Sequence, residues 1–175
     1  MWFVFALACS PAPEDIATAI ASGNPVMRED GAKIAQSYSD PVVEAALISV
    51  LADSAPMVRL NAIESLAEIE ATTAGPALVE RLEGDGEPRV RRAAADALGR
   101  LKEPSAVAPL IVYMATFAPN DREQLVAVWA LGNIGAEGLE AGPKQATLEA
   151  LVALRDATSD KYVRYQTTAA LRTLK

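Results

Sequence analysis

The phrase Val90-Arg91-Arg92-Ala93-Ala94-Ala95-Asp96-Ala97-Leu98-Gly99-Arg100-Leu101 recurs, with variations, along most of this chain. Copies begin at Val58, Glu123 and Val163, and their equivalent leucines, Leu66, Leu98, Leu131 and Leu171, stand 32, 33 and 40 residues apart. A second series interleaves with the first: Leu47, Leu78, Leu110 and Leu148 lie in their own apolar segments at intervals of 31, 32 and 38. Each unit is therefore two segments long. In the best copy Val90, Ala93, Ala94, Ala97, Leu98 and Leu101 follow the i, i+3, i+4, i+7 spacing of one helix face, and Arg91, Arg92, Asp96 and Arg100 fall on the other. A unit of two amphipathic helices cannot bury its own stripe and must stack on its neighbours. That predicts an all-α fold, an α-solenoid of about four to five antiparallel helix pairs.

The pattern predicts a lead-in helix near 14–22, then pairs at 26–37 with 41–52, 57–70 with 75–83, 88–101 with 105–117, and 121–134 with 144–156. A last, unpaired helix is expected at 160–174. Pro56 and Pro88 stand at first-turn positions, where a missing N–H costs nothing, and Gly75, Gly84, Gly86 and Gly135 stand at expected stops. The chain is 51% hydrophobic but only 5% aromatic, so its core is built from Ala, Leu and Val rather than rings.

These residues resemble the HEAT repeat, and more narrowly the HEAT-like repeats of phycocyanobilin lyases. The motif Pro-x-Val-Arg-x-x-Ala-x-x-Ala-Leu-Gly-x-Ile/Leu is carried best by Pro88 to Leu101, and its companion Ala-Val-x-Pro-Leu-Ile by Ala106 to Ile111. The resemblance covers residues 25–175 and implies a repeat domain of that extent. It says little of function, because such repeats serve scaffolds of many kinds and a fold names no chemistry.

Residues 1–8 are apolar throughout and precede Cys9, the one cysteine of the chain, and a Ser10-Pro11-Ala12-Pro13 spacer. This resembles a bacterial lipoprotein signal, with residues 1–8 as the signal segment and 9–24 as the modified cysteine, spacer and lead-in helix. The resemblance implies diacylation of Cys9 and a place in the cell envelope, facing the periplasm and held to the membrane by lipid alone. No Lys or Arg precedes the apolar stretch, which is short, and Ala6-Leu7-Ala8 departs from the preferred Leu-Ala/Ser-Gly/Ala. A start codon placed too far downstream would account for the missing parts. Plain secretory cleavage at the same bond, and a leading segment packed on the first repeat of a cytoplasmic protein, stand as alternatives. The stretch is too short to span a bilayer.

Sixteen basic against 23 acidic residues give a net charge of −7, with no basic run longer than Arg91-Arg92. Nucleic-acid binding needs a continuous basic face and is not expected. The chain has no histidine, which removes the commonest general base and metal ligand, and its one thiol lies in the signal-like segment. No catalytic residue, cofactor or metal is therefore expected. Glu83-Gly84-Asp85-Gly86-Glu87 alternates carboxylates as a calcium loop does, but the twelfth position is Ala94 and the closing bidentate ligand is missing. An acidic turn between helices suffices.

Asp53 and Arg59 are six residues apart, as are Asp85 and Arg91, while Asp160 and Arg164 are four apart. The family resemblance implies that these Asp and Arg residues form a structural ladder between repeats, Asp also capping helix starts. Gln124 replaces the arginine in the fourth unit, where the ladder should be interrupted. Trp129 aligns with Asp96 on the wetter side of its helix, yet Trp before Ala-Leu-Gly is common in HEAT-like repeats, which implies packing at the helix edge. Leu131 to Leu148 is 17 residues where the earlier equivalents are 12, marking an inserted loop, Gly135 to Pro143, able to cover Trp129.

The resemblance to HEAT arrays implies that second helices line the concave side, and the segment Ser105 to Phe117 carries no charge. With Val107, Leu110, Ile111, Met114 and Phe117 facing inward, Val112, Tyr113 and Thr116 remain for a contact surface, rimmed by Glu80 and Arg81. Burial by neighbouring helices is the alternative. The expectation is a non-catalytic protein-interaction scaffold with a protein or peptide partner, acting as a monomer or as part of a hetero-complex. A soluble cytoplasmic adaptor, or a lyase-like or chaperone component acting on a tetrapyrrole-bearing protein, are the rivals.

Overall fold

The computed structural model of the chain describes residues 10–135 and 139–174. Among these it is built from α-helices joined by turns and short 3-10 segments: α1 (Pro13–Ile20), α2 (Pro25–Ile34), α3 (Pro41–Ser49), α4 (Pro56–Glu68), α5 (Gly75–Gly84), α6 (Pro88–Arg100), α7 (Val107–Ala115), α8 (Leu125–Ile134), α9 (Ala141–Ala157) and α10 (Lys161–Thr173). Proline opens α1, α2, α3, α4 and α6, where its fixed φ suits the first turn. Side chains cap several starts: Asn24 accepts from the Val26 N–H at 3.0 Å, Asp40 from Val42 at 2.8 Å, and Asp160 from Tyr162 and Val163.

The fold class is the expected α-solenoid, but its pairing is shifted by one helix. The closely packed hairpins are α1 with α2, α3 with α4, α5 with α6, α7 with α8, and α9 with α10. The helix at the chain's start is thus half of the first hairpin rather than a lead-in, and α10 has α9 as its mate. Two of these hairpins close through short turns, Asp85 to Glu87 between α5 and α6 and Thr158 to Asp160 between α9 and α10.

The hairpins stack into two layers around a continuous core of Ala, Leu, Val and Ile. One layer holds α2, α4, α6, α8 and α10, packed directly on one another; in the other, α5, α7 and α9 touch more sparsely. Small residues set this difference. A Cβ added to Gly99 would stand 2.6 Å from the Ala130 Cα, and one added to Gly132 would stand 3.1 Å from the Ala170 Cβ, so these helices meet nearly backbone to backbone. Closer spacing in one layer bends the stack toward it, which makes the α2-α4-α6-α8-α10 layer the inner one. The expected concave lining was the other series, and the structure reverses it.

Gly99→Ala should therefore destabilise by about 1–2 kcal/mol through overpacking, against a helix-propensity gain of at most about 1 kcal/mol. Gly84→Ala, with nothing within 4 Å of the added carbon, should instead stabilise slightly. Urea titration of both variants checks the pair, and equal behaviour of the two would refute the backbone-contact account.

One expected stop and one expected helix start differ. Gly75 begins α5 rather than ending a helix, and its bare Cα lies against the Glu103 carboxylate. Gly142 and Pro143, read as loop, belong to the first turn of α9, where proline is tolerated. Gly135 does end α8, at φ +67°, a backbone region that favours glycine.

Candidate functional site on the inner face

Trp129 is 42% exposed and stands on the inner face of α8. One edge of its ring is packed, since a Cβ on Gly99 would come within 2.9 Å of Cζ3; the rest is open. The helix-edge packing expected of this residue thus describes half of the ring. On one side lies a groove of roughly 650 Å³, walled by Leu60 and Glu64 of α4, Arg92, Asp96 and Arg100 of α6, and Val126 of α8. On the other lies a smaller one of roughly 300 Å³, bounded by Val128, Tyr162 and Gln166. Tyr162 is itself half exposed, and the Arg122 guanidinium sits over its ring at 5.4 Å.

Ion pairs rim these grooves: Arg92 with Glu123 at 3.5 Å, Arg100 with Glu68 at 2.7 Å, and Arg122 with Asp160 at 3.0 Å. Pairs this exposed are worth only about 0–1 kcal/mol each, so an incoming chain can exchange them at little cost. An aromatic platform in an apolar trough with a charged, exchangeable rim can hold a peptide or protein segment.

The sequence-predicted patch lies on the outer layer, and its centre is core. Tyr113 is only 9% exposed and packs edge-on against Phe117 with ring centroids 5.2 Å apart, and burial raises its phenol pKa. Its place as an apolar anchor is therefore corrected to packing. Val112, 68% exposed, and Thr116 do face solvent, as does Glu80, while Arg81 is half-buried beside Asp85. None of the four lines either of the two inner-face grooves. A nine-residue helix without a charge gives no polar face from which to set its rotation, and Tyr113 rather than Phe117 completes the buried stripe.

The ladder is built differently from its expected spacing. In every unit the arginine position donates to the carbonyl six residues back: Arg28 to Ser22, Arg59 to Asp53, Arg91 to Asp85, Gln124 to Ala118 and Arg164 to Thr158, at 2.6–3.0 Å. The carboxylate contact runs forward to the next unit. Arg28 grips Asp53 with Nε at 2.6 Å and Nη2 at 3.1 Å, and Arg59 grips Asp85 at 2.7 and 2.6 Å. Asp160 is held not by Arg164 but by Arg122. The expected break at Gln124 falls one unit earlier, because the position that would answer Arg91 is Ala118. Gln124 keeps the backbone bond.

The Asp85 carboxyl is itself only 1% exposed. Burial alone would raise its pKa, but the Arg59 hydrogen bonds and the Glu87 N–H outweigh it and hold it below the usual range. Asp53 is lowered mainly by Arg28, and then by the Ala55 N–H. Carboxyls lowered in the folded state contribute stability above their unfolded pKa of about 3.9, and lose it as pH falls through the lower folded values. Melting temperature should therefore hold on the neutral side and drop below about pH 4. Asp85→Asn should flatten that drop, and an unchanged acid limb would exclude the ladder as its cause. The same geometry disposes of Asp85 as a calcium ligand, since both its oxygens are already engaged.

Cys9 lies outside the described residues. Among the described residues no helix is long and apolar enough to cross a membrane, and no cluster of His, Cys, Asp and Glu is placed to hold a metal.

Helical hairpins stacked in two layers define an α-solenoid, a helical-repeat fold. The HEAT-repeat family matches residues 13–87 and again 75–172, and the chain belongs to that family. The first match starts at α1, in keeping with the hairpin pairing seen here. Among solved structures, the chain is similar to the complex of CpcE and CpcF of phycocyanin lyase from Nostoc sp. PCC7120, at 21% identity and a TM-score of 0.76, over 100% of this chain and 69% of that one. It is also similar to an engineered protein at 18% identity and a TM-score of 0.59, over 94% of this chain and 97% of the other. No curated protein matches the sequence. At these identities the likeness is one of fold.

Proposed function

We propose that this chain is a non-catalytic scaffold whose inner face, centred on Trp129, binds a segment of a partner protein. The observation that carries this reading is the half-exposed Trp129 ring between two grooves, within a rim of exchangeable ion pairs. Interface energy concentrates in buried aromatic anchors, so Trp129→Ala should weaken a captured partner by about tenfold or more. Val112→Ala on the outer layer should leave affinity unchanged. A photo-crosslinking residue at Val126, used in native cells, identifies the partner for that measurement. Equal affinity of the Trp129→Ala variant and the parent protein would refute the site.

A role beside a lyase, on a tetrapyrrole-bearing protein, is the second reading, favoured by the fold likeness over the whole chain. Titrating a bilin with the protein separates the two. A shifted absorption band lost in Trp129→Ala would favour the lyase-like role, and an unshifted band the scaffold.

The apolar run before Cys9 and the Ser/Pro spacer after it support tethering of the scaffold to a bacterial membrane through lipid on Cys9. Expressed from its native gene, the protein should label with a fatty-acid analogue and partition into detergent, and Cys9→Ser should abolish both. Recovery of protein that still starts at Met1 from a soluble cytoplasmic fraction would defeat the tether.

A further inference from the structure

The arginine ladder has a gap at Arg91. Arg28 and Arg59 are each fixed by one Nη1 bond to the carbonyl six residues back, and each presents Nε and Nη2 as a fork to a carboxylate of the next unit. Arg91 has the same anchor, Nη1 to the Asp85 carbonyl at 2.7 Å. Its forward position is Ala118, an exposed residue with no carboxylate to offer. Among the described residues no Asp or Glu lies within salt-bridge distance of Arg91; its neighbours Arg92 and Arg122 pair with Glu123 and Asp160 instead. Arg91 is partly exposed, so the fork can be reached from outside.

We infer that Arg91 receives a carboxylate from a partner chain, an Asp or Glu side chain or a C-terminus, which completes the third rung of the ladder. Asp53 and Asp85 show in this same molecule what fits such a fork: a bidentate carboxylate at 2.6–3.1 Å. The anchor bond has already restricted the guanidinium, so less conformational freedom is lost on binding than at an unanchored surface arginine. This inference is independent of the Trp129 groove, because Arg91 belongs to the turn edge between units and lines neither groove.

The test follows the arginine Nε–Hε resonances of the full chain in NMR while acetate is added at constant ionic strength. Arg91 should shift saturably, and the equally unpaired Arg89 should not. Ala118→Asp supplies the missing carboxylate from within, so it should remove the Arg91 response and raise the melting temperature. Arg91→Lys should abolish bidentate capture, weakening acetate binding by about tenfold, the scale of one lost charge-assisted bond. A linear response shared with Arg89 would overturn the proposal. So would an acetate response that survives Ala118→Asp. Inorganic phosphate competing more tightly than acetate would reassign the receptor to phosphate and overturn the carboxylate assignment.

Discussion

Asp85→Ala is expected to lower the unfolding free energy by about 3 kcal/mol, the scale for stranding one partner of a buried ion pair. Asp85 is 1% and Arg59 12% exposed at the side chain, so neither is well solvated. Without the carboxylate, Arg59 keeps its bond to the Asp53 carbonyl but loses both forward bonds, and the Glu87 N–H loses its acceptor at the start of α6. The penalty is chiefly that of an uncompensated charge. Adding Arg59→Met to Asp85→Ala should accordingly cost no more than Asp85→Ala alone. Asp160→Ala gives the contrast, because its partner Arg122 is 65% exposed and can return to water, and its effect should be much smaller. Urea unfolding of the four proteins decides the matter. A loss below about 1 kcal/mol for Asp85→Ala would mean that the ladder is ornamental to stability.

Period and stripe were enough to place the helices, since apolar positions at 3.6-residue spacing admit one solution when the unit recurs. Hairpin pairing was not given by period. Every helix in a solenoid buries its stripe between neighbours on both sides, so the stripe alone cannot tell a hairpin mate from the next unit. Turn length does not tell them apart either, because the mates α7 and α8 are joined through Thr116 to Gln124, a longer stretch than the Leu101 to Ala106 between α6 and α7, which are not mates. Which layer is inner follows from small residues instead. Gly99 facing Ala130, and Gly132 facing Ala170, mark the layer able to close up, and both glycines were visible in the repeated Ala-Leu-Gly motif.

The site was partly legible for related reasons. Trp129 stood out by its alignment with Asp96 on the wetter side of its helix, but only packing shows that Gly99 accommodates one edge of its ring and leaves the rest open. Tyr113 was misplaced because an uncharged helix has no polar face to set its phase. The arginine ladder was read with the right residue types and the wrong partners. Spacing within a unit picks out Asp85 and Arg91, whereas the Asp85 carboxylate binds Arg59, 26 residues back, and Arg91 takes only the Asp85 carbonyl. A contact from one unit to the next is invisible to spacing inside the unit. The gap at Ala118 was likewise present in the sequence, as an alanine six residues before Gln124.

Leu98→Ala is expected to cost roughly 2–5 kcal/mol, through lost burial plus the cavity left behind. Leu98 is fully buried in α6, the helix with α4 and α8 on either side and α5 as its hairpin mate. The core around α6 is rich in alanine, Ala94, Ala95 and Ala97 being buried with it, and alanine has no side-chain reach with which to collapse into a cavity. Solenoid stability is approximately a sum of unit and interface terms, so a defect at α6 weakens two interfaces at once. Native-state hydrogen exchange should therefore speed up in α4, α5 and α8 as well as in α6, while α1 and α2, beyond the next interface, change little. Faster exchange confined to the α5–α6 hairpin, residues 75–100, would show that the units unfold independently. Uniform acceleration from α1 to α10 would show a single cooperative block. The intermediate pattern, damage that reaches one unit to either side, is the outcome that two short-range interfaces around α6 require.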